Sequence, residues 1–230
     1  MSRKLNFDLL ARPYRWLEYL TFGRWLERCR FHFLPALGEP RRALVLGDGD
    51  GRFLARLLRA NPTLTADVVD ISPAMLRLLE TRLPLEARNR VTLHEADARR
   101  IPPPGAGYEL VVTHFFFDCL FQAELGALVD RIAPSLTPGA YWVVSEFAIP
   151  RGRVASLAGR AVVSGLYRAF GAFTGLFVRS LPDHGSVLQA SDFHLVSEKR
   201  WLHGLLIGQL WQQGALNAIQ PDLPGYLLQQ

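Results

Sequence analysis

Between residues 43 and 147, short apolar runs alternate with stretches of helical periodicity. The run 43–47 (ALVLG) has the length and continuity of a buried strand, and 51–60 (GRFLARLLRA) repeats its apolar residues at helical spacing. ADVVDIS (66–72) predicts a second strand, and Ser72 then stands before Pro73 in PAMLRLLETRL. That is an N-cap followed by a proline at the helical position where a missing N–H costs nothing. VTLHEAD (91–97), ELVVTHF (109–115) and AYWVVSEF (140–147) predict three more strands, the last two separated by a helix in FQAELGALVDRIAPSL. Parallel strands covered on both faces read as uninterrupted apolar runs, so the pattern predicts a doubly wound α/β sheet.

The flanks follow other patterns. Residues 5–37 place Phe7, Leu10, Tyr14, Leu17, Tyr19, Trp25 and Leu26 at helical spacing among arginines, which predicts one or two amphipathic helices. Residues 151–181 read as a long helical segment. FHLVSEKRW (193–201) and GLLIGQLW (204–211) predict an antiparallel hairpin joined at Leu202-His203, followed from Gln212 by a short helix or a disordered tail. No linker or repeat interrupts the chain.

In an open parallel sheet, ligands sit beyond the carboxyl ends of the strands, where the strand order reverses. Here the first strand runs into Gly47-Asp48-Gly49-Asp50-Gly51. The dinucleotide fingerprint places its third glycine three residues after the second, whereas this loop places it two after. Two loop aspartates would also repel a pyrophosphate. They favour S-adenosylmethionine, which has no phosphate and carries a sulfonium and an ammonium. Asp70 ends the second strand 23 residues after Gly47, the position of an acid that accepts from both ribose hydroxyls. Asp97, followed by the small Ala98, is placed to take an adenine amino group. Each acid has a plainer reading, Asp70 as a helix cap and Asp97 as a turn cap.

The segments ALVLGDGDGRF, VVDISPAML, LHEADARRIP, YELVVTHFFFDCL and LTPGAYWVVSEF together resemble the successive motifs of class I S-adenosylmethionine-dependent methyltransferases, over about residues 40–150. The resemblance implies a Rossmann-like seven-stranded sheet with its last strand antiparallel. Cofactor contacts follow at Gly47, Asp48, Gly49, Asp50, Gly51, Asp70, Ile71, Met75, Asp97, Ala98 and Thr113. It also implies an insertion after the fifth strand beside the methyl-transfer site, and within the superfamily the chain is most similar to enzymes acting on quinones and related lipophilic small molecules. One departure stands out: Val45 occupies the position, two before the first glycine, where the family commonly has an acid for the cofactor's ammonium group. Asp48 or Asp50 is the expected substitute.

On this reading residues 1–230 form one methyltransferase domain, with a helical lid (1–38), a cofactor core (40–150), a helical cap (151–181) and a C-terminal hairpin and tail (182–230). Tyr14 and Tyr19 are expected to cover the cofactor. His114 is the candidate general base with Asp118 orienting it, and Phe116, Phe170 and Phe173 are candidate acceptor contacts. Packing and helix capping are the plainer readings of His114 and Asp118. The expected activity is methyl transfer to a small lipophilic or aromatic acceptor. The alternatives are an RNA methyltransferase and a noncatalytic S-adenosylmethionine-binding module.

Composition removes other chemistries. Lysine occurs only at Lys4 and Lys199, so neither a Walker A loop nor a Tyr-x-x-x-Lys dehydrogenase site can be built. Cys29 and Cys119 lack partners at zinc-ligand spacing, which predicts no metal site and a reducing, cytoplasmic setting. Asp8, Arg12 and Arg15 interrupt any signal-peptide core. The net charge is +5. Between Glu146 and Asp183 there are five arginines and no acid, which suits peripheral contact with an anionic membrane. Nucleic acid is disfavoured as a partner, because no appended binding domain is present.

Overall fold

The computed structural model describes residues 23–150 and 181–214. Strands β1 (Arg42–Leu46), β2 (Thr65–Asp70), β3 (Val91–Glu95), β4 (Tyr108–His114) and β5 (Leu136–Phe147) are followed by β6 (Phe193–Trp201) and β7 (Leu206–Gln213). They form one sheet in the order β3-β2-β1-β4-β5-β7-β6. β1 pairs parallel with both β2 and β4, whereas β7 runs antiparallel to both β5 and β6. The expected hairpin is therefore present, with its second strand inserted into the sheet and β6 left on the edge.

Five helices cover the described sheet: α1 (Trp25–Phe31), α2 (Arg52–Ala60), α3 (Pro73–Arg82), α4 (Gln122–Ile132) and α5 (His184–Ala190). Side chains alternate across each strand, and that alternation divides the core into two layers. Val45, Val68, Leu110, Val112 and Val143 pack with Phe53, Leu54 and Leu57 of α2 on one face. Leu44, Leu46, Val111, Trp142 and Val144 pack with Leu125, Leu128 and Val129 of α4 on the other. Each fully buried aliphatic side chain contributes about 1.5–3 kcal/mol, which is why both faces of β1 are apolar from Ala43 to Leu46. Ser72 caps α3 as its sequence predicts, its Oγ accepting the Met75 N–H at 3.2 Å.

The structure corrects three expectations. Gln212 begins no tail: it is buried within β7, and its Nε2 donates to Gly139 O at 3.1 Å. β3 ends at Glu95, so Asp97 lies in the turn beyond it. The short helix α5, set in the region read as hairpin and tail, begins where Asp183 Oδ1 accepts the Ser186 N–H at 3.1 Å. Residues 1–22 and 151–180, which hold most of the expected lid and cap, lie outside the described residues.

Candidate active site at the carboxyl edge of the sheet

The strand order reverses at β1, whose neighbours are β2 on one side and β4 on the other. The turns leaving β1 and β4 therefore form the lips of a crevice, the place where this architecture takes its ligands. Gly47 has φ 62° and Gly51 φ 77°, values that favour glycine. A Cβ at Gly47 would lie 2.7 Å from the Phe116 ring, and one at Gly51 would lie 2.6 Å from Leu79. The glycines thus admit both the turn and its close neighbours.

The two loop aspartates differ in what they do. Asp50 is committed to Arg52 (2.8 Å) and Arg82 (3.0 Å). Its charge is balanced within the protein, so the expectation that either aspartate stands in for the acid missing at Val45 narrows to Asp48. Asp48 Oδ2 accepts the Leu54 N–H at 3.1 Å. Burial pushes its carboxyl up to about 7, against the pull of that N–H and of Arg30. A cationic ligand beside it would restore the carboxylate.

Asp70 ends β2 as expected, and its Oδ1 accepts the Ser72 N–H at 2.8 Å, which leaves the capping of α3 to Ser72 itself. Ile71 is half-buried and Met75 is buried on α3. Asp97 is held by Arg99, with Nε at 2.9 Å and Nη2 at 2.8 Å. Burial raises its pKa, but the Arg99 bonds outweigh that and leave it below the ordinary carboxylate range. An adenine amino group would share Asp97 with this guanidinium. Ala98 packs against the core layer of α4. Thr113 is fully buried and its Oγ1 accepts the Trp142 indole N–H at 3.0 Å, which turns the side chain into the sheet. Tyr14, Tyr19, Phe170 and Phe173 lie outside the described residues.

The pairing expected of His114 and Asp118 is not the one observed. His114 Nδ1 meets Ser145 Oγ at 2.9 Å, and the ring packs edge-on to Phe53 at 4.3 Å between centroids. Burial, aided by Arg30, holds the imidazole well below its ordinary pKa. It is neutral at pH 7, and its buried Nε2 has no hydrogen-bond partner. Asp118 instead accepts from the Cys119 thiol at 3.4 Å, and burial pushes its carboxyl up to about 6. Burial also raises the Cys119 thiol well above its ordinary value, so it carries no thiolate.

Sequence reasoning missed Glu146. At the end of β5, it accepts the N–H groups of Phe116 (3.0 Å) and Phe117 (2.7 Å) through Oε1. Its Oε2 is buried without a hydrogen-bond partner. Burial, then Asp118, push its pKa well above the usual range, against those backbone donors. The available signal was its place at the carboxyl end of a buried strand next to the predicted crevice.

The sheet order and its preformed glycine turn define a Rossmann-like α/β protein of the methyltransferase type. Residues 44–142 match the methyltransferase-domain family. Among curated relatives, a malonyl-[acyl-carrier protein] O-methyltransferase of Halorhodospira halophila is 36% identical over 112 residues, covering 47% of this chain and 36% of its own length. Polyamine aminopropyltransferase 2 of Bacillus cereus is 29% identical over 119 residues, covering 46% of this chain and 32% of its own. The chain thus spans about a third of the length of these relatives. In fold it is similar to an O-methyltransferase family 2 protein from Planctomyces limnophilus, with a TM-score of 0.64, 18% identity, and coverage of 86% of this chain and 61% of that one. Among the described residues no group of His, Cys, Asp and Glu is arranged to hold a metal ion. Nor is any helix there long and apolar enough to cross a membrane.

Proposed function

We propose that this chain transfers the methyl group of S-adenosylmethionine to a small lipophilic or aromatic acceptor. The observation that carries the reading is the preformed turn at Gly47–Gly51, with Asp48 beneath it and Asp70 at the neighbouring strand end. This set fits a cofactor with a cationic end and ribose hydroxyls. Asp70 would accept from the hydroxyls, and Asp48 would face the positive charge. When bound, the cofactor supplies a methyl group activated by its sulfonium. The protein supplies proximity, worth about 7–11 kcal/mol in well-oriented reactions.

With a hydroxyl acceptor, a C–O bond forms as the C–S bond breaks, and the hydroxyl proton must leave. Asp118 is the better proton acceptor of the two candidates, because it titrates near 6 while His114 is enclosed by Phe53 and Ser145. Phe116, whose half-buried ring lies against Gly47, would line the acceptor side. The Planctomyces protein was solved in complex with apigenin, an aromatic small molecule, which supports the acceptor class. The arginines and aromatics of 151–181, Phe170 and Phe173 among them, support an apolar acceptor and peripheral contact with anionic lipid.

Calorimetry with S-adenosylmethionine tests the reading. The wild type should bind, and Asp70→Ala should bind about 10- to 150-fold more weakly, the loss expected for charged hydrogen bonds. Absence of binding heat in the wild type would reject the function. Methyl-labelled cofactor incubated with cell extracts then separates an enzyme from a binding module, and labelled RNA in place of a labelled small molecule would overturn the acceptor class.

A further inference from the structure

The turn that leaves β4 is strained. Phe115, a bulky aromatic residue, has φ 53°, a left-handed conformation that costs about 1–2 kcal/mol for a residue with a side chain. Such strain persists only where the surroundings over-determine it. Here two consecutive residues of β5 do so. Ser145 O accepts the Phe115 N–H at 2.7 Å, and Glu146 Oε1 accepts the next two, from Phe116 and Phe117. The outcome is that the Phe116 ring lies against Gly47, so close that a Cβ there would collide with it at 2.7 Å. The contact joins the two lips of the crevice.

We propose that Glu146 is the positioning residue of this site: its carboxyl clamps the turn after β4 and so sets the Phe116 ring against Gly47, where methyl donor and acceptor must meet. The inference rests on the function proposed above. Glu146 touches no reacting atom on this account; it acts through the backbone of Phe116 and Phe117. The clamp works through one acceptor oxygen, Oε1, which takes both N–H groups, while burial disfavours the carboxyl's charge and Oε2 has no partner. Glutamine should therefore replace it, because an amide oxygen accepts the same two N–H groups.

The test uses the full chain. In Glu146→Ala the amides of Phe116 and Phe117 should exchange with solvent at least about tenfold faster than in the wild type, while Glu146→Gln keeps them protected. Turnover should follow, with kcat/KM falling about 10- to 100-fold in Glu146→Ala, the scale of an ångström misplacement, and staying within about threefold in Glu146→Gln. If the loss passes through the ring, Glu146→Ala and Phe116→Ala should be non-additive in kcat/KM. Additive losses, equal damage from Gln and Ala, or unchanged exchange in Glu146→Ala would each overturn the proposal. Should Glu146→Ala fail to fold, Glu146→Met, which keeps the volume but removes the acceptor oxygen, takes its place, with the same expected exchange and turnover losses and the same cycle with Phe116→Ala. Amide exchange needs no methyl transfer, so a failed clamp is distinguishable from a failed enzyme assignment, which calorimetry on the wild type reads.

Discussion

Asp67 and a set of three acids at the carboxyl end of the sheet are treated in opposite ways, although that end also holds the arginine-paired Asp50 and Asp97. Toward the amino end, Asp67 on β2 meets His94 Nε2 (2.9 Å), the Tyr108 hydroxyl (2.9 Å) and Arg42 Nη2 (3.1 Å). Burial alone would raise its pKa, but these partners outweigh it and hold the carboxyl below the ordinary range. At the carboxyl end, Asp48, Asp118 and Glu146 are all raised, burial being the leading cause each time. Two buried polar atoms there, His114 Nε2 and Glu146 Oε2, have no partner, and Phe115 adds a strained backbone. A satisfied network stiffens a fold, whereas perturbed acids and strain collect where chemistry is done. On the proposed function, one sheet separates an anchoring end from a reactive one.

Mutations at each end should separate the same way. The largest expected effect is Asp118→Ala, which removes the proposed proton acceptor and should lower kcat about 10²- to 10⁴-fold with a hydroxyl acceptor. Cofactor affinity should stay within about threefold, and the thermal midpoint should not fall. A wild-type kcat in this variant would remove the chemical half of the contrast. Next comes Asp67→Ala, which leaves the Tyr108 hydroxyl and Arg42 without their shared partner and should cost about 2–4 kcal/mol in urea unfolding. Its turnover per folded molecule should be unchanged. Lost activity in the folded variant would show that the two ends are coupled.

The contrast also explains what could be read from the sequence. Strand and helix positions were legible because each depends on local pattern: both faces of Leu44–Leu46 are buried, and Ser72 caps the helix that follows it. The glycine turn and Asp70 were legible for the same reason. What was not legible depends on partners distant in sequence. Asp50 reads as an available acid until Arg82, on another helix, takes it. Glu146 gains its role from amides 30 and 29 positions away. Gln212 suggests the start of a tail, yet it is buried because β7 is inserted between β5 and β6 and Gly139 O accepts from its amide.

The smallest effect gives the sharpest reading of the carboxyl end. Asp48 titrates near 7 in the folded protein, facing Arg30 from α1, Asp50 in its own loop, and Arg52 and the Leu54 N–H on α2. An unfolded aspartate titrates near 3.9. Between about pH 4 and pH 7 the native state therefore holds a proton that the unfolded chain has released, and stability falls as pH rises through that window. Below it both states are protonated and above it both are ionised, so this contribution to the slope vanishes at either end. Asp48→Asn abolishes the titration yet keeps an oxygen to accept from Leu54. Urea midpoints from pH 4 to 8 should show the two proteins nearly equal at the acid end. By pH 8 the variant should be the more stable, by up to a few kcal/mol. Added S-adenosylmethionine should then favour the wild type more than the variant at pH 8, because a cation beside Asp48 stabilises its carboxylate. A stability gap that does not change with pH would mean that Asp48 titrates as an ordinary aspartate, and the carboxyl end would lose the acid best placed to receive the cofactor's positive charge.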